Sequence, residues 1–137
     1  MAQQIYVNLA VKDVARTKAF FGQLGFTFDP KFSNDKALAM IIGENIYVML
    51  LAENFFKTFT KKTLCDATQS TEVLVCLSCD SRAQVDDLVA RAQAAGGTVP
   101  RPPQDYGFMY GHVFEDLDGH IWELVYMDPN AEMPETK

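Results

Sequence analysis

The sequence predicts an α+β fold built from two tandem β-α-β-β-β modules. Two helix starts, at Asp13 and at Asp80-Ser81, lie 67 residues apart, and the same order of elements surrounds both. Such self-similarity at a fixed offset signals an internal duplication. Short runs rich in β-branched and aromatic residues, separated by Gly, Pro, Asn and Asp, supply the strands.

In the first module (residues 1–52), Ile5 to Val11 alternates as a strand. Asp13 is suited to cap the helix that follows. Val14, Thr17, Phe20, Phe21 and Leu24 recur at helical spacing before Gly25 closes it. Residues 26–28 form a short strand that stops at Asp29-Pro30. Residues 37–42 and 46–51 are apolar strands about the turn Gly43-Glu44-Asn45.

A linker (53–71) joins the modules. Its Phe55, Phe56 and Phe59 beside Lys57, Lys61 and Lys62 read either as an amphipathic segment over a core edge or as a lid on a cavity. The second module (72–128) repeats the plan with a strand at 72–79. Ser81-Arg82-Ala83-Gln84 has the form of a capping box, and Val85, Leu88, Val89, Ala92 and Ala95 form an apolar stripe ended by Gly96-Gly97. Thr98-Val99 is a short strand before Pro100, Pro102 and Pro103. Residues 106–114 and 120–127 form a hairpin, and a tail (129–137) follows. The whole is expected to be one domain.

Composition bounds the function. With 48% hydrophobic and 22% charged residues the 137-residue chain has the balance of a globular protein. A net charge of −6 is the wrong sign for a nucleic-acid binder. The apolar runs are too short to span a bilayer, and Met1-Ala2-Gln3-Gln4 has no basic leader region. A cytoplasmic protein with no membrane partner is expected. The three cysteines, Cys65, Cys76 and Cys79, do not form an even framework, and Cys76 and Cys79 fall on opposite faces of a strand. They read as inert thiols in a reducing compartment.

Val11-Lys12-Asp13-Val14 at the first helix, and Phe114-Glu115-Asp116-Leu117-Asp118-Gly119-His120-Ile121-Trp122-Glu123-Leu124 in the last hairpin, resemble the vicinal oxygen chelate superfamily. This is the glyoxalase, bleomycin-resistance and extradiol-dioxygenase group. The likeness extends over 5–128. The stretch Asp105-Tyr106-Gly107-Phe108-Met109-Tyr110-Gly111 is similar to a branch labelled predicted lactoylglutathione lyase. The resemblance implies a sheet curled around a cleft that takes a small organic molecule, and a homodimer.

Metal-dependent members draw ligands from the first and last strands of each module. Carried over by position, those ligands fall on Tyr6, Met49, Leu74 and Glu123. Zinc, nickel or iron sites need imidazole and carboxylate, and only Glu123 qualifies. Shifting by two residues on the same strand faces reaches Asn8 and Cys76, which still lack a histidine. The resemblance therefore implies a member without the family metal and without another cofactor. The alternative is a divalent-metal (Zn, Ni or Fe) lyase or isomerase of the lactoylglutathione lyase type.

Whether a reaction is catalysed stays open between a ligand-sequestering protein, an enzyme of that lyase type, and a related dioxygenase. A purely structural dimerisation module is the remaining class. Strand parity gives the ligand face Tyr6, Asn8, Met49, Leu74, Cys76, Ile121 and Glu123, and Tyr110 joins it as a ligand contact. Of the two histidines, His120 reads as a solvated turn residue. A hairpin loop of four residues would set His112 opposite Glu123, and a loop of two would keep them diagonal on one face. Either makes a base with its orienter, whereas an odd loop separates them. The apolar strands 46–51 and 121–125 are the expected dimer surface.

Overall fold

A computed structural model describes residues 1–130. The tail expected at 129–137 therefore lies, from residue 131 on, outside the described residues. Contacts divide the chain into two compact units, Met1–Asp66 and a second beginning at Ala67. The segment 53–66 of the linker falls in the first unit and 67–71 in the second.

In the first unit, β1 (Ile5–Val11), β2 (Thr27–Phe28), β3 (Ala37–Gly43) and β4 (Ile46–Ala52) form a sheet of order β1-β4-β3-β2. β1 runs parallel to β4 and the other pairings are antiparallel. Helix α1 (Val14–Gln23) starts where the sequence predicts: the Asp13 carboxylate accepts the Arg16 N–H. Gly25, at φ +97°, takes the left-handed conformation that ends it. Phe20 and Phe21 are buried with Leu9, Val11, Leu38, Met40, Val48 and Leu50, so this sheet has a helix-side core. Burying each such side chain is worth about 1.5–3 kcal/mol. Residues of the linker form α2 (Glu53–Phe56) and a 3-10 turn, Lys57–Phe59. α2 lies near β1 and β4, and Phe55 meets Phe59 edge to face at 5.2 Å.

The second unit repeats the order as β5-β8-β7-β6, from β5 (Leu74–Ser78), β6 (Gln104–Asp105), β7 (Met109–Glu115) and β8 (Ile121–Met127). Helix α3 (Arg82–Ala94) is capped by Ser81, whose Oγ accepts the Gln84 N–H at 3.0 Å. The return bond of the capping box is displaced by one residue, since Gln84 Oε1 accepts from the Asp80 N–H. Val85, Val89 and Ala92 of α3 are buried, as are Phe114, Trp122 and Leu124 of the sheet.

Three expectations change here. The strand expected at 72–79 starts only at Leu74. The strand expected at 106–114 is broken, because Gly107 at φ +81° turns the chain between β6 and β7 and Tyr106 N–H bonds the Met109 carbonyl. The strand expected at Thr98-Val99 is reduced to a single bridge from Thr98 to Glu115. Among the described residues no helix is long and apolar enough to cross a membrane.

Candidate functional site

Register assigns each expected residue to a sheet face. In the first unit Asn8 pairs with Met49 and Tyr6 with Tyr47, on the side away from the buried Leu9, Val48 and Leu50. Tyr6, Asn8 and Met49 therefore share the non-helix face, as parity predicts. The Tyr6 and Tyr47 rings stack at 5.0 Å, and the Tyr6 hydroxyl donates to Gln4. A cavity of about 580 Å³ in this unit lies elsewhere, at the start of α1 between Lys12, Lys18, Asn34 and Leu38. Its Asp13 and Asn34 oxygens are already taken by backbone N–H groups.

In the second unit Leu74 pairs with Ile121 and Cys76 with Glu123. Trp122 and Leu124 point to the buried helix side, so these four share the non-helix face. Partial desolvation pushes the Cys76 thiol above its ordinary value, and the neighbouring Glu123 carboxylate adds to the shift. Cys76 is therefore held as a neutral thiol. All three cysteines are free.

The partner expected for Glu123 is corrected. Glu115 pairs with Ile121, which leaves residues 116–120 as a loop of five. An odd loop sets Val113, not His112, opposite Glu123, and sends His112 to the helix side beside Leu124. The loop length has a cause in Asp116. Its buried carboxylate accepts the N–H groups of Asp118 and His120 and the indole N–H of Trp122, all within 3.0 Å. Its backbone N–H also bonds the His120 carbonyl, which makes His120 the last residue of the turn.

Tyr110 also lies on the helix side. Its hydroxyl donates to Asp86 of α3 at 2.5 Å, which pushes its pKa up to about 12. The Arg82 guanidinium sits over the Tyr110 ring at 5.1 Å and bonds both Asp105 oxygens. Tyr110 thus helps fasten the 105–107 turn to α3, away from the face of Glu123.

Glu123 is paired instead with Arg101, Nη2 to Oε2 at 3.1 Å, with the two side chains 39% and 27% exposed. Sequence reading missed Arg101. Its signal was a lone cation within Pro100-Arg101-Pro102-Pro103, but its reach depends on the path this segment takes after the Thr98–Glu115 bridge.

The four positions carried over as metal ligands do not suit a divalent cation. Leu74 has no donor, Met49 offers a thioether, the Tyr6 hydroxyl donates to Gln4, and Glu123 is engaged by a guanidinium. Among the described residues no group of three or more His, Cys, Asp or Glu is gathered as for a metal.

Comparison with known proteins agrees with this architecture. The family model of the Glyoxalase/Bleomycin resistance protein/Dioxygenase superfamily matches residues 3–124. The solved structure of hypothetical protein SA1046 from S. aureus is 31% identical with a TM-score of 0.79, covering 92% of this chain and 95% of that one. A glyoxalase/bleomycin resistance protein/dioxygenase family enzyme from Burkholderia phytofirmans PsJN is 20% identical, with a TM-score of 0.73 over 90% of this chain and 97% of that one. The fosfomycin resistance protein FosX from Listeria monocytogenes is 21% identical, with a TM-score of 0.66 and 96% of each chain covered. At these last two identities the likeness is one of fold alone. No curated protein matches the chain.

Proposed function

Because the chain belongs to the glyoxalase/bleomycin resistance/dioxygenase superfamily, we propose that it binds a small organic molecule on the non-helix face of its second module, with no site metal. The observation that supports this most is the Arg101–Glu123 pair. It occupies the position where metal-dependent relatives keep a ligand, and it faces partly outward among Leu74, Cys76 and Ile121. That is an apolar surface with a few placed polar groups, the general make-up of a small-molecule site. In this reading Arg101 orients the carboxylate and Glu123 accepts a donor N–H or O–H of the ligand. The finer lyase reading draws on the 105–111 stretch, which here is the end of β6, a turn at 106–108 and the start of β7, fastened to α3 through Asp105.

The test is a thermal-shift screen of small metabolites, run with and without added zinc, nickel, iron and manganese. A ligand at a hundred times its dissociation constant stabilises by about 2.7 kcal/mol. That gain should be the same with and without metal. Glu123→Gln should leave the unliganded protein within about 1 kcal/mol of its original stability, because a part-exposed ion pair is worth no more. The same change should weaken the ligand by about 1–3 kcal/mol. Stoichiometric metal that is lost on Glu123→Gln would overturn the proposal.

A further inference from the structure

We propose that the molecule bound at this face is dipolar and net neutral, with an anionic group for Arg101 and a cationic donor for Glu123, and that Arg101 sets this selectivity. An α-amino acid zwitterion with an apolar side chain is the simplest such ligand. The inference rests on the proposed binding at the Glu123 face and names its ligand class.

The argument starts from charge. Arg101 and Glu123 are one cation and one anion, 3.1 Å apart and both accessible. The other acid on this face, Glu115, is bonded by the Thr98 hydroxyl at 3.0 Å, and Cys76 is a neutral thiol. His112 of β7 and Asp86 of α3 belong to the helix side, although the Arg101 charge reaches His112. A ligand bearing only an anion would approach Glu123 as a like charge, and one bearing only a cation would approach Arg101. Like charges brought together are penalised, so each monopolar ligand loses at one partner what it gains at the other.

A zwitterion laid antiparallel to the pair satisfies both ends. Its carboxylate meets the planar guanidinium, a geometry arginine favours, and its ammonium meets Glu123. A part-exposed ion pair is weak, so opening it to admit a ligand costs little. Leu74, 52% exposed, and Ile121 beside it offer apolar surface to the ligand's side chain.

Three probes of one shape separate the charges: L-leucine, its deamino analogue 4-methylpentanoate, and its decarboxy analogue 3-methylbutylamine. Binding to the full chain is measured by NMR chemical-shift titration. The original protein should prefer leucine to either analogue by about tenfold or more, the effect of 1.4 kcal/mol. Arg101→Gln should move the preference to the amine, and Glu123→Gln should move it to the carboxylate. Arg101→Lys, which keeps the charge, should keep the original order with weaker binding.

A monopolar analogue bound as tightly as leucine overturns the inference, and so does an order unchanged in Arg101→Gln. Failure of all three probes overturns it as well. If the metabolite screen then still yields a ligand that depends on Glu123, the binding reading stands and only the ligand class falls. If the screen yields none, both fall.

Discussion

Burial on the helix side lowers the pKa of His112 from its ordinary 6.5, with the Arg101 charge acting in the same direction and Asp86 opposing. Its Nδ1 also accepts the N–H of Val113, a bond open only to the unprotonated nitrogen. With the folded pKa below the unfolded one, the unfolded chain binds more protons between the two values. The contribution to stability is complete above about pH 6.5 and declines as pH falls through the folded value. Melting temperature should therefore drop more steeply below that pH for the original protein than for His112→Gln. Parallel profiles would remove His112 as the titrating group. The same residue marks what sequence could and could not say. Strand parity correctly joined Cys76 and Leu74 to Glu123. The partner across the hairpin depended on whether the loop was odd or even, and a single carboxylate, Asp116, decides that by collecting three N–H groups.

At the scale of elements, the helix starts were legible because capping is local chemistry: Asp13 and Ser81 cap as their positions predict. The β6–β7 break was not, since 106–114 has strand-like composition and only the paired partners of Asp105 and Tyr106 reveal the reversal. Two glycines bear on the hairpin turn, Gly119 within it and Gly96 just after α3. Gly119 has φ +90°, and a Cβ there would lie 2.9 Å from backbone atoms of Ala67 and Thr68. Gly96 has φ +107°, but its Cβ would meet only the Leu117 Cδ2 at 3.3 Å, the end of a side chain that can rotate. Both substitutions carry the backbone strain of roughly 1–3 kcal/mol, but only the first adds an overlap with backbone that cannot move aside cheaply. Gly119→Ala should cost more than about 2 kcal/mol in denaturant unfolding and exceed Gly96→Ala clearly. Equal costs would mean that the 67–68 segment yields without penalty.

At the scale of the whole molecule, the sequence pointed to the last strands of each module as the surface for assembly. Topology places β4 and β8 inside their sheets, each flanked on both sides, so their backbone has no free edge. The outer strands are β1 and β2 of one sheet and β5 and β6 of the other. On β1 and at the start of β5 large apolar side chains stand exposed, Ile5 at 55%, Tyr6 at 51%, and Leu74 beside Val73, while Ile46 of β4 and Met127 of β8 are each exposed at 47%. An open strand edge with apolar residues along it invites pairing with another chain unless something covers it. A second copy related by a twofold axis would cover equivalent strands on both chains at once. We therefore expect a homodimer in which the edges of β1 and β5 supply backbone contact. Sedimentation at micromolar concentration should give a species of twice 15.3 kDa. Tyr6→Lys combined with Val73→Lys should shift it to the monomer with the circular dichroism of the fold intact, because both side chains are exposed. A monomer in the original protein would count against the expectation. A dimer unaffected by the double change would place the contact on another surface.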